Sequence, residues 1–213
     1  MDPNDLIPRD KGDIPRAEAA VRAGYPAVEP ILGELLEWLQ DLNWPVAGVL
    51  VPFLESIGPV DALLHHVRAV LRSDDDVWKY WVLGSVVDAW EADGILLLRP
   101  DLERMATQPT LGEITADVWE TARALLTWAE QGGGERVEEE PRSAEDLFIK
   151  ADAFEQLDDP WTAIRVYGEL IERFGDAAEP SLRRMVAAAQ ENRAAARARL
   201  DAASRARLDA ATE

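Results

Sequence analysis

Apolar residues recur along this chain at the three and four residue spacings of helices, and no segment alternates with the period of two that a half-buried strand requires. The pattern predicts an all-α protein. A first helix spans Pro15 to Ala23 and stops at Gly24, where the missing Cβ permits a left-handed cap. A second runs from Pro26 to about Asp41 with Val28, Ile31, Leu32, Leu35, Leu36 and Leu39 on one face. Asn43 is expected to cap a third helix that holds Pro45 in its first turn, kinks at Pro52 and ends at Gly58. The fourth, Pro59 to about Arg72, buries Leu63, Leu64, Val67, Val70 and Leu71. The fifth begins in Asp74 to Asp76, whose charge suits the positive end of a helix dipole, and continues to about Ala92.

A short helix, Asp101 to Ala106, follows the breaks at Gly94 and Pro100. Thr110 and Glu113 then have capping-box spacing ahead of an amphipathic segment through Val118, Trp119, Ala122, Leu125 and Leu126 to Trp128. Helices of this length joined by short turns predict a HEAT-like α-solenoid of antiparallel pairs over residues 1–130. Residues 131–142, rich in Gly and Glu, read as a flexible charged linker. In residues 143–213, Ser143 caps a helix to Leu157, Asp159 and Pro160 open another that closes at Phe174 and Gly175, and a long Ala/Arg-rich helix starts near Pro180. That last helix repeats Arg-Ala-Arg-Leu-Asp-Ala-Ala at 197–203 and 205–211. With so few apolar residues it is expected to be solvated.

Composition narrows the function classes. A hydrophobic content of 47% is ample for a core, and no stretch resembles a signal peptide or a membrane span. The absence of cysteine fits a reducing cytoplasm and excludes disulfides and thiolate chemistry. A net charge of −19 argues against nucleic acid, which is bound by basic surfaces that displace counterions. Residues 1–134 hold 23 acids against 10 bases, whereas Ser181 to Glu213 carry seven arginines and four acids. The acid excess reads first as solubility and self-repulsion, and second as steering of a basic partner.

Two words stand out, Trp38-Leu39-Gln40-Asp41-Leu42-Asn43-Trp44-Pro45 and Asp74-Asp75-Asp76-Val77-Trp78-Lys79-Tyr80-Trp81. Together with Leu6-Ile7-Pro8-Arg9-Asp10-Lys11 and with Pro109-Thr110 before Glu113, their order and spacing make the first 130 residues resemble the bacterial domain-of-unknown-function 5071 family. The resemblance implies a HEAT-like helical fold and brings no activity with it. Residues 143–213 resemble a tetratricopeptide repeat of actinobacterial type. Ala151, Phe154, Ala163 and Tyr167 fall where that motif sets its small and aromatic packing residues, and Ala194 matches the next small position. About one and a half repeats are present, with Leu147 where the motif begins on a large aromatic. Such units bury their faces against neighbours, so this segment is expected to dock on the first domain, another copy or a partner.

Catalytic signatures are lacking. His65 and His66 are adjacent, so a helix points them about 100° apart, unlike an i, i+4 metal pair. The triad Asp74 to Asp76 lacks the alternating ligands of a calcium loop, and Gly132 to Gly134 precede acids rather than the Lys of a phosphate loop. No catalytic residue, metal or cofactor is assigned. Trp38, Trp81, Trp90, Trp119 and Trp128 lie on helical faces as core residues. Asp41, Asn43, Trp44, Asp75, Asp76, Trp78 and Lys79 are the candidate partner-binding residues, because half-exposed Trp beside acid suits Arg or Lys of a partner.

The leading expectation is a non-enzymatic, cytoplasmic protein interaction module or scaffold for a basic protein. An immunity or antitoxin protein that neutralises a bacterial toxin, and an enzyme or ligand-binding domain with an acidic and Trp-lined pocket, are the alternatives. Self-association through the C-terminal helices also stays open.

Overall fold

The computed structural model describes residues 2–134 and 142–210. The chain is 73% helical, with twelve helices and no strand among the described residues. It divides into two compact units, Met1–Arg136 and Val137–Glu213. Among the described residues no helix is long and apolar enough to cross a membrane.

In the first unit, α1 (Ile14–Ala23) ends at Gly24, whose φ of 70° is the left-handed conformation for which glycine carries no Cβ penalty. The expected second helix is much shorter than Pro26 to Asp41. It comprises a 3-10 turn, Glu29–Ile31, and α2 (Leu32–Glu37). Past Trp38 the chain turns, and Asp41 Oδ1 accepts hydrogen bonds from the backbone and side-chain nitrogens of Asn43, both at 2.9 Å. Asn43 is therefore committed to Asp41 rather than to capping. Trp44 takes the cap position of α3 (Pro45–Ile57) without a side-chain bond. Pro52 lies within α3, which continues through it to the cap at Gly58.

Helix α4 (Asp61–Leu71) buries the five apolar residues expected of it. Helix α5 (Asp76–Val82) widens into a π turn, Leu83–Val87, and ends well before Ala92. Ser85 Oγ within that turn donates to the Trp81 carbonyl at 2.6 Å, a side-chain competitor for the helical ladder. Three short helices follow, α6 (Ala92–Leu96), α7 (Arg99–Thr107) and α8 (Leu111–Thr115). Asp117 then adopts φ 63° and separates α8 from α9 (Val118–Glu130), which the sequence had suggested were one segment.

The core of this unit is continuous from Leu6 to Ala129. Helix α9 is its hub. It packs against α5, α6, α7 and α8 and buries Val118, Trp119, Ala122, Leu125 and Ala129. Arg72 holds Asp101 through two hydrogen bonds, and Arg68 donates to the Leu97 carbonyl at 2.9 Å, so α4 is tied to the start of α7. Trp90 and Trp119 are buried, while Trp38 and Trp128 are half-buried against the core. Trp81 is also half-buried, tilted against Tyr80 with ring centroids 4.9 Å apart.

The second unit holds α10 (Ala144–Gln156), α11 (Pro160–Phe174) and α12 (Pro180–Ala210). Ser143 and Asp146 form a reciprocal capping box, and Asp159 caps α11 through the Thr162 backbone. Leu147, Ala151, Ala163, Tyr167 and Leu170 are fully buried between the helices. The Tyr167 hydroxyl accepts from Asn192 Nδ2 at 3.0 Å, which satisfies the one polar side-chain atom of the largest fully buried residue and pins α12 to α11. Most of the expected linker, residues 135–141, lies outside the described residues.

His66 on α4 is partly buried where α2 has Gly33. A Cβ on that glycine would come within 2.9 Å of His66 Nδ1. Burial and the neighbouring His65 lower the His66 pKa below its ordinary 6.5, against an opposing pull from Glu34. The folded state thus resists a proton that the unfolded chain accepts, so stability is complete above pH 6.5 and falls as pH drops below it. Thermal melts between pH 7.5 and 5 should show this decline, and His66→Asn should flatten it. A limb that His66→Asn leaves unchanged would assign the effect to another group.

Candidate functional site

The second Trp and acid word folds around a buried charge cluster. Asp75 caps α5 by accepting from the Trp78 backbone at 2.9 Å, which orients the first turn of that helix. One turn on, Lys79 is only 4% exposed. Its Nζ donates to Asp76 Oδ1 at 2.7 Å and to Glu113 Oε1 at 2.9 Å. Glu113 is fully buried at the start of α8, and Arg104 of α7 grips both of its carboxylate oxygens. The Thr110 backbone donates to Glu113 Oε2 at 2.9 Å, while the Thr110 hydroxyl accepts from the Glu113 backbone at 3.1 Å. The capping box read from the sequence is therefore present, and its acid has two cationic partners as well.

Two cations and two carboxylates balance, which is the condition under which charges are tolerated inside a protein. Burial alone would raise the Glu113 pKa, but the bonds from Arg104, the Thr110 backbone and Lys79 outweigh it and hold the group at about 2. Burial would lower the Lys79 pKa, and Asp76 and Glu113 reverse that and raise it. A carboxylate held this low and enclosed by Arg104, Lys79 and the Thr110 backbone has too little affinity for a proton to serve as a general base near neutral pH, so Glu113 is not poised for that role.

Gly112 is needed beside this cluster. A Cβ there would lie 1.9 Å from Asp76 Oδ2, so the carboxylate whose other oxygen holds Lys79 would have to move.

The sequence-derived candidates divide. Asp75, Asp76, Trp78 and Lys79 come together, but mostly in structural roles. Trp78 is half-buried against the core and its indole Nε1 donates to the Leu36 carbonyl at 3.0 Å, joining α5 to α2. Lys79 is turned inward and has no surface to offer. Asp41 and Asn43 form their own turn, where Trp44 meets Trp38 edge to face at 5.8 Å and packs half-buried on the core. Surface remains on the outer side of α5. There Asp74, Asp75, Asp76, Val77, Gly112, Thr115 and Ala116 line a broad open hollow, and neither Asp41 nor Trp78 is among its walls. Val77 is 52% exposed within it.

Glu113 and Arg104 are the members that sequence reasoning missed as site residues. Thr110 and Glu113 were legible as a cap, but nothing local says that Lys79, 34 residues earlier, would reach the same carboxylate.

A family model described as a domain of unknown function, DUF5071, matches residues 6–126. The chain belongs to the DUF5071 family. The match spans the charge cluster and the hollow alike, and ends within α9. A search of curated proteins finds no match to the chain.

Glu113 gives the stability of this DUF5071 domain an acid-sensitive contribution. Because the folded pKa of Glu113 lies below its ordinary 4.5, its contribution is full above pH 4.5 and is lost as pH falls toward 2. Glu113→Gln, which leaves Arg104 and Lys79 under-compensated, should cost about 3 kcal/mol or more in denaturant unfolding and flatten the acid limb between pH 4.5 and 2. Gly112→Ala should cost about 1–3 kcal/mol by displacing Asp76. A Gly112→Ala protein as stable as the wild type would refute that close approach.

Proposed function

We propose that this chain is a non-enzymatic, cytoplasmic interaction module that binds a basic protein or peptide through the outer side of α5. The observation that carries this reading is the direction of Lys79. The one base in the Asp74 to Trp81 word points inward and is neutralised there, so the hollow on the other side keeps its acids without a base among its walls. Asp74 and Asp75 are exposed, and Val77 supplies an apolar contact between them and α8. Acids around an exposed apolar residue suit a partner that presents Lys or Arg beside an apolar side chain, and the net charge of −19 steers such a partner toward the chain.

The architectural part of the proposal is that the first unit is HEAT-like and the second tetratricopeptide-like. In support, consecutive short helices share one continuous core in the first unit. In the second, Ala151 and Ala163 are fully buried where α10 and α11 approach, with Phe154 and Tyr167 packed beside them. Helical repeats of both kinds present extended surfaces to other proteins.

Asp75 caps α5 and Asp76 holds Lys79, so reversing either would disturb the fold as well as the surface. Asp74→Lys with Val77→Ser avoids both. Affinity capture from extract of the source cells should recover a basic protein in stoichiometric amount. Its retention should fall with salt and be lost in the double variant, whose melting temperature stays within a few degrees of wild type. Capture that the double variant leaves intact would remove this surface from the mechanism.

A further inference from the structure

Helix α11 has a second functional-looking face, turned away from the core of its own unit. The core takes Ala163, Val166, Tyr167 and Leu170. Trp161, Arg165, Gly168 and Glu172 follow one another at spacings of four, three and four, which sets them in a line along the opposite side of the helix. Trp161 is 72% exposed, the most exposed large apolar side chain described. The line forms one wall of an open groove of about 700 Å³, with Ile164 and Ile171 half-buried along it and Arg193 of α12 at its side. The Arg193 guanidinium lies beside Gly168, 3.6 Å from where a Cβ would stand. Arg165, Glu172 and Arg193 make no ion pair among the described residues, whereas Glu169 is already paired with Arg173 at 3.1 Å.

Charge along this face is ordered about the glycine, with Arg165 three residues before it and Glu172 four after. We propose that the face pairs with the same face of a second copy, the two α11 helices crossing antiparallel at Gly168. A two-fold axis at that point sets Arg165, about 4.5 Å from the crossing along the helix, beside the partner's Glu172, about 6 Å from it on the same side. The pair forms twice. The same operation brings Ile164 against the partner's Ile171, and Trp161 covers the end of the partner's helix. Gly168 adds no side chain at the crossing, where the flat Arg193 guanidinium already lies, so the partner helix meets that guanidinium at the crossing point. Arg193, next to the crossing, offers the partner's Glu172 a second donor. Self-complementarity of charge and apolar contact under one operator is what favours a second copy over a foreign partner. This inference does not rest on the acidic surface of α5.

Sedimentation equilibrium of the full chain tests it. The wild type should show a concentration-dependent monomer–dimer equilibrium that weakens with salt. Arg165→Glu and Glu172→Arg should each raise the dimer dissociation constant about tenfold or more, since each sets like charges together twice. The double variant, which restores both pairs with their signs exchanged, should return it to within a few fold of wild type. Trp161→Ala should also raise it. Circular dichroism should report unchanged helix in all four, because the three side chains are exposed. A wild-type chain that is monomeric at every concentration overturns the proposal. So does a dimer indifferent to the single charge reversals, or one that the double reversal does not rescue.

Discussion

The first unit depends on one carboxylate. Glu113 is fully buried, yet it is reached by Lys79 from α5, by Arg104 from α7 and by a backbone amide of its own cap. It joins three separate elements through one group, and for α7 and α8, which are too short to be stable by propensity, it adds to the packing on α9. A buried charge group is tolerated only when every partner is in place, so the cluster specifies one arrangement more strictly than apolar packing of the same volume would. Its neutrality has a second consequence. It turns Lys79, the one base of the Asp74 to Trp81 word, inward and leaves Asp74 and Asp75 exposed.

Positioning and presentation are thus opposite sides of a single helical turn. Asp75 orients the turn as its cap, Asp76 reaches inward to Lys79, and Val77 and Asp74 face out. Trp78 adds a direct bond to the Leu36 carbonyl, so the same turn is anchored to α2. On the proposed reading, a partner would meet a turn already fixed by these bonds, and the entropy that a mobile loop loses on association would be avoided. The second unit is built differently. Small residues let three helices approach around Leu147, Val166, Tyr167 and Leu170, the Tyr167 hydroxyl accepts from Asn192, and Trp161, Arg165 and Glu172 of α11 are left facing out.

Much of this was legible from local chemistry. The end of α1 at Gly24 and the caps of Thr110, Ser143 and Asp159 are written in residues whose hydrogen-bonding or backbone preference acts within a few positions. The shortening of α2, the π turn at Leu83–Val87 and the left-handed Asp117 were not. Each departs from a periodic pattern that would have continued smoothly, because packing against neighbouring helices, not propensity, decided where the chain turned. Asn43 is the clearest local error. Its side chain had two available bonds, and Asp41 two residues earlier outcompeted the helix start.

By itself, the sequence determined that this protein is helical, that it is strongly acidic, that several of its helices begin at particular caps, and which family residues 6–126 match. These follow from composition, periodicity and short-range bonding. Only the tertiary structure decided the direction of each charged or aromatic side chain in the Trp and acid words. Lys79 and Trp78 were equally plausible outside or inside until partners 34 and 42 residues distant came within hydrogen-bond range. Whether a charge faces water or a counter-charge is a property of what packs above it, and no spacing along one helix contains that information.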